Sequence, residues 1–198
     1  MIITVAGYKG GVGKTTTAVH LAAYCQTKGP ALLLDGDPNR SATAWHGRGG
    51  LPFAVIDERQ FKRYMADDFK HIIVDTEARL ADRDSRALAA RSDLIIVPSS
   101  PDALALAALL QTVGDLEAIG AKGYRVLLTS VPPKPSRDGD EARAMLKGRG
   151  VPVFKGMIHR RVAFPKAALA GVTVRDVRDP RAALAWEEYE QVGKEAIR

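Results

Sequence analysis

Gly7-Tyr8-Lys9-Gly10-Gly11-Val12-Gly13-Lys14-Thr15-Thr16, residues 7–16, lies between a short β-branched run, Ile2–Ala6, and a longer alanine-rich helical pattern, Lys14–Lys28. A glycine-rich turn that leaves a strand and opens a helix can curl so that several backbone N–H groups converge on one point. The helix N-terminus adds a partial positive charge at the same place. Together these make a cradle for phosphate. The backbone of Lys9, Gly10, Gly11, Val12 and Gly13 would line it. Lys14 would reach the β- and γ-phosphates, the Thr15 hydroxyl would ligate a bridging Mg²⁺, and Thr16 would help hold the α-phosphate. The common spacing GxxxxGK[ST] is broken here, because Tyr8 stands where the first glycine belongs.

Outward from this loop, short apolar runs alternate with longer helical ones. Strands are expected at Ile2–Ala6, Ala31–Leu34, Pro52–Ile56, His71–Val74, Leu94–Val97 and Arg125–Thr129, with Val153–Phe154 as a further short candidate. Helices are expected at Lys14–Lys28, Asp82–Arg91, Ala103–Ile119, Asp140–Lys147 and Arg181–Ile197. Gly29 and Gly120 stand where helices of this kind stop. Ile72-Ile73-Val74 and Leu94-Ile95-Ile96-Val97 are apolar without alternation, as strands covered on both faces are. The expectation is an α/β, doubly wound, mostly parallel sheet with helices on both faces, forming one domain over residues 1–198.

Two further strand ends carry carboxylates. Ala31–Asp37 reads ALLLDGD and runs into Pro38-Asn39-Arg40-Ser41; His71–Asp75 reads HIIVD. Carboxylates beside a phosphate loop can serve a metal ion or an attacking water. Asp75 would hold Mg²⁺, and Asp37 is the second acidic candidate for the metal. Asp-Pro-Asn is equally good turn chemistry.

Lys9–Thr16, KGGVGKTT, resembles the deviant Walker A box of the ParA/MinD ATPases, and Asp35–Pro38 resembles their DxDP segment. The resemblance implies ATP as the nucleotide. It implies that Lys9 reaches across an ATP-sandwiched homodimer to the partner's nucleotide, that Asp37 orients or activates the hydrolytic water, and that Asp35 supports the site. On this basis Lys9, Lys14 and Asp37 are the catalytic candidates. In these proteins a polar residue at the end of the strand Arg125–Ser130 reads the base, which selects Thr129 and Ser130; as residues they read equally well as a plain strand end. The chain departs from the family pattern at Asn39, where glutamine is usual, and at Thr76-Glu77-Ala78-Arg79, where proline or glycine commonly follows the acidic strand.

The composition, 46% hydrophobic and 26% charged, is that of a globular protein. One cysteine, Cys25, excludes an internal disulfide and any CxxC motif. No signal-like or membrane-length apolar stretch occurs, so a cytoplasmic location is expected. The charge is uneven. The first 121 residues carry 13 Lys/Arg against 14 Asp/Glu, whereas the remainder carries 16 against 9. Such a basic third suits a polyanion or is simply a solvated surface. With the ParA resemblance it implies non-specific DNA binding, nucleoid association, and a separate adaptor that stimulates a slow hydrolysis. The cargo would be a plasmid, a chromosome or a protein body such as a carboxysome. The membrane-binding alternative needs a basic amphipathic C-terminal helix, and AALAWEEYEQVGKEAIR is acidic at its middle. A metabolic P-loop enzyme would need a second-substrate site, and no such motif is present.

Overall fold

The computed structural model describes residues 1–57, 59, 69–76, 83–121 and 123–197. Six strands, β1 (Ile2–Val5), β2 (Ala31–Gly36), β3 (Ala54–Asp57), β4 (His71–Thr76), β5 (Leu94–Ser99) and β6 (Tyr124–Leu128), form one sheet in the order β3-β2-β4-β1-β5-β6. Every neighbouring pair is parallel. The described helices are α1 (Lys14–Gln26), α2 (Ser41–His46), α3 (Arg83–Arg91), α4 (Ala103–Ala118), α5 (Asp138–Gly148), α6 (Ala163–Ala170) and α7 (Ala182–Ala196).

The unbroken apolar strands serve two cores at once. Leu33, Ile73, Ile96 and Leu127 point into a core shared with α1 and α7. Their neighbours Ile95, Val97, Val126 and Leu128 point the other way, against α4 and α5. This is the two-faced burial that makes a parallel strand apolar at every position.

Four helices fall within three residues of expectation at each end. Asp82, the expected start of α3, and Glu77–Arg79 lie outside the described residues. Val153–Phe154 is not a sheet strand; Val153 makes only an isolated parallel bridge to Val126. Two helices were not expected. α2 is six residues long and starts after Arg40 in a left-handed conformation, φ 52°. Its third residue is fixed from a distance: the Asp35 carboxylate accepts from Thr43 N at 2.8 Å and Thr43 Oγ1 at 2.6 Å. α6 carries Pro165 in its first turn, where the missing N–H costs no helical bond.

The chain runs from β1 to β2, β3 and β4 on one side and to β5 and β6 on the other. The strand order therefore reverses at β1, and its carboxyl end opens into the crevice where such sheets bind ligands. The loop 6–13 leaves β1 at this point.

Candidate functional site

Within the loop, Gly11 and Gly13 have φ of 77° and 84°, a left-handed conformation that side chains resist. Gly13 then serves as the N-cap of α1 without any side-chain cap, so the first N–H groups of the helix face the loop's hollow. Thr129 fastens the loop from β6, its buried hydroxyl donating to Val12 O at 2.7 Å. Its proton is thus committed to the loop. Ser130 follows with φ 50° and lines the adjoining cavity.

The structure brings Lys14, Thr15, Asp37 and Asp75 together around the loop. Asp75 sits on β4 in register with Val5, immediately before the loop starts. It is fully buried, and among the described residues neither carboxylate oxygen has a hydrogen-bond partner of good geometry. Burial pushes its pKa up to about 7. The Thr15 hydroxyl and the Lys14 ammonium pull it back, while the charges of Asp35 and Asp37 add to the rise. Burial conversely lowers the pKa of Lys14, against the opposing pull of Asp75 and Asp37. Among the described residues Lys14 Nζ donates to Lys9 O, at 3.2 Å. A buried carboxylate beside a hydroxyl is the hard oxygen chemistry that suits Mg²⁺. No cluster of three or more His, Cys, Asp or Glu side chains gathers among the described residues. Mg²⁺ held by one or two carboxylates and by phosphate oxygens requires none.

Asp37 is half-buried, and its Oδ1 accepts from Asn39 N at 2.8 Å and Asn39 Nδ2 at 3.0 Å. The asparagine that departs from the family pattern therefore holds the carboxylate in an Asx turn. Asp35 is fully buried and secures α2, so its role here is to shape the Asp37 loop. Lys9 does not point into its own site. Its Nζ pairs with Asp102 Oδ1 at 3.0 Å, on the N-cap of α4. Tyr8 reaches the same helix, donating its hydroxyl to Asp115 and its backbone N–H to Thr112 Oγ1.

Two cavities flank the loop. One of about 340 Å³ is lined by Ser130, His159, Phe164 and Tyr189; the other, of about 590 Å³, by Lys14, Asp37, Asn39 and Arg48. Gly11, Gly13 and Thr16 line both. An elongated ligand with an aromatic end in the first cavity and an anionic end in the second would lie across the loop.

Sequence reasoning singled out the segment of His159 and Arg161 but missed Glu188 and His20, which support this wall. Arg161 pairs with Glu188, which also accepts from His159 N and Nδ1 at 2.9 Å each. His20 lies behind the wall, fully buried, with Nδ1 against Thr16 O at 2.7 Å and Nε2 accepting from Val174 N at 3.0 Å. Glu188 and His20 are far apart in sequence, and no motif links them.

Residues 3–174 match the family described as the CobQ/CobB/MinD/ParA nucleotide binding domain. The chain is 36% identical, over its whole length and 94% of the other's, to maintenance of carboxysome distribution protein A of Gloeobacter kilaueensis. It is 33% identical to protein ParA of Rhizobium radiobacter, over 82% of this chain and 80% of that one. Among solved structures, an ATP complex of a Cyanothece McdA variant superposes with a TM-score of 0.76 at 20% identity, covering 99% of this chain and 95% of that one. MinD of Aquifex aeolicus superposes at 0.75 and 16%, covering 99% and 96%. At such identities the structural likeness speaks for the fold alone.

Proposed function

Because this chain belongs to the CobQ/CobB/MinD/ParA nucleotide-binding family, we propose that it is an ATP-dependent switch that dimerises, holds DNA non-specifically and hydrolyses ATP to position a cargo. The gathering of Lys14, Thr15, Asp37 and Asp75 around one phosphate loop carries the reading.

ATP would place its base in the cavity beside Ser130 and Phe164 and its phosphates across Gly11–Thr16. Thr15 and Asp75 would hold Mg²⁺, which supplies charge neutralisation between the β- and γ-phosphates. Lys14, whose ammonium lies among the charges of Asp75 and Asp37 and donates to Lys9 O, would meet the β/γ oxygens. Asp37 would orient a water toward the γ-phosphorus; the bond to the β–γ bridging oxygen breaks and ADP leaves. Lys9 would leave Asp102 to reach the nucleotide of a second copy. Hydrolysis would be slow alone and faster with a separate adaptor.

Several cations of the basic third support DNA as the polyanion. Lys134, Lys147, Lys155 and Arg160 are exposed and enter no ion pair among the described residues. Contacts of this kind neutralise phosphates without reading bases, so binding falls steeply with salt. The membrane alternative is weakened by α7. It commits Ala185, Tyr189, Val192 and Ala196 to the core shared with α1, and among the described residues Leu184 is its one exposed large apolar side chain. The proposed cargo remains a plasmid, a chromosome or a protein body such as a carboxysome.

Co-sedimentation with DNA and with anionic liposomes, with ATP, ADP or no nucleotide and at rising salt, tests the reading. ATP-dependent, salt-sensitive pelleting with DNA is expected. ATP-dependent pelleting with liposomes alone would contradict it.

A further inference from the structure

We propose that Arg48, which follows α2, contacts the terminal phosphate of the bound nucleotide and sets the preference for triphosphate over diphosphate. The inference rests on the reading that the site takes ATP. It starts from the layout of the two cavities. The aromatic wall of Phe164 and Tyr189 lies on one side of the loop; Asp37 and Arg48 lie on the other. A nucleotide that puts its base against the aromatics and its middle phosphates over Gly11 and Gly13 extends its last phosphate toward Asp37 and Arg48.

Arg48 is held where that phosphate would arrive. Its Nη1 donates to Ala168 O at 3.0 Å, in the last turn of α6. The turn after α6 nests on its backbone: a Cβ on Gly171 would come within 2.5 Å of Arg48 Cβ and 2.7 Å of its carbonyl carbon. Trp45 Nε1 donates to Val172 O at 3.0 Å and clamps the same junction. One guanidinium N–H is thus committed and four remain. Among the described residues no carboxylate pairs with Arg48. Asp37, in the same cavity, is occupied by Asn39 instead. A fixed, un-neutralised arginine fork at the rim of a phosphate cavity is suited to bidentate phosphate recognition.

A residue that serves only to pack α2 against α6 would affect ATP and ADP alike; a γ-phosphate contact would not. The test measures affinity for a non-hydrolysable ATP analogue and for ADP, both with Mg²⁺, in wild type, Arg48→Ala, Arg48→Lys and Arg48→Gln. Arg48→Ala should bind the ATP analogue roughly tenfold or more weakly, the scale of one charged hydrogen bond, with ADP affinity changed less than about twofold. Arg48→Lys, a point charge without the fork, should fall between. If Arg48→Ala does not fold, Arg48→Gln, which keeps a donor for Ala168 O, carries the comparison. Equal losses for both nucleotides, or no loss for either, would overturn the assignment. Failure of the wild type to bind any adenine nucleotide would overturn the site reading itself, and this inference with it.

Discussion

His20 makes the ligand-site wall sensitive to pH, and the structure gives the size and sign. Its Nδ1 is 2.7 Å from Thr16 O, and its Nε2 accepts from Val174 N–H at 3.0 Å. Only the neutral ring, protonated at Nδ1, satisfies both partners. Burial, the larger cause, holds its pKa down at about 4 against an ordinary 6.5, while the Thr16 carbonyl pulls slightly the other way. The unfolded chain therefore binds a proton that the folded chain refuses. Stability from this group is complete above pH 6.5 and is lost as pH falls through 6.5 toward 4. Between about pH 8 and about pH 5 the loss is about 2 kcal/mol, approaching about 3 kcal/mol at lower pH.

Asp75 titrates in the opposite sense. Its carboxyl, raised to about 7, is a buried charge above that pH and a neutral acid below it, so acidification relieves the fold. The contributions of these two groups to the slope then nearly cancel. The diagnostic quantity is the difference between wild type and His20→Gln, which keeps an acceptor for Val174 N–H and does not titrate. Urea unfolding of both at about pH 8 and about pH 5 should show the variant losing about 2 kcal/mol less. The ring stacks on Tyr189 at 4.8 Å and meets Phe164 edge-on at 5.5 Å, so ATP affinity should fall with the same protonation. Identical pH responses in the two proteins would refute the reasoning.

Two other substitutions follow from the site. Asp75→Asn should stabilise the nucleotide-free protein at about pH 8 by about 1–3 kcal/mol, since it removes a charge that burial penalises, while weakening Mg²⁺-dependent ATP binding; a lower unfolding midpoint without nucleotide would count against it. Asp102→Ala removes both the Lys9 ion pair and the cap on Ala105 N, whereas Asp102→Asn keeps the cap. The alanine variant should lose about 1 kcal/mol more than the asparagine one, yet both should dimerise with ATP at lower protein concentration, because Lys9 is released in each. Unchanged dimerisation by light scattering would break the link between Lys9 and Asp102.

The fold was legible where one local pattern determined it. The phosphate loop, the two-faced strands and the long helices all announce themselves through composition and period. α2 did not, because its first turn is anchored by Asp35 from the preceding strand and not by a cap of its own. α6 was obscured by Pro165, which reads as a break until it is placed in the first turn. The same holds for the site. Lys14, Thr15, Asp37 and Asp75 sit in motifs, and the structure gathers them. Thr129, read equally as a base contact or a plain strand end, donates to Val12 O, a contact across 117 residues that the packing of the loop against the end of β6 creates. Arg48 and His20 carry no motif. Their chemistry comes from Ala168, Gly171 and Val174, which approach them only once α6 has folded back onto α1 and α2.

The central claim is an ATP-dependent closure of two copies through Lys9, undone by hydrolysis at Asp37. The most direct measurement is the molar mass of Asp37→Ala by light scattering with ATP and Mg²⁺. The account predicts a stable particle of twice the 21.3 kDa chain, reverting to the single chain when Lys9→Ala is added. A single-chain mass for Asp37→Ala, or a dimer indifferent to Lys9→Ala, would contradict it.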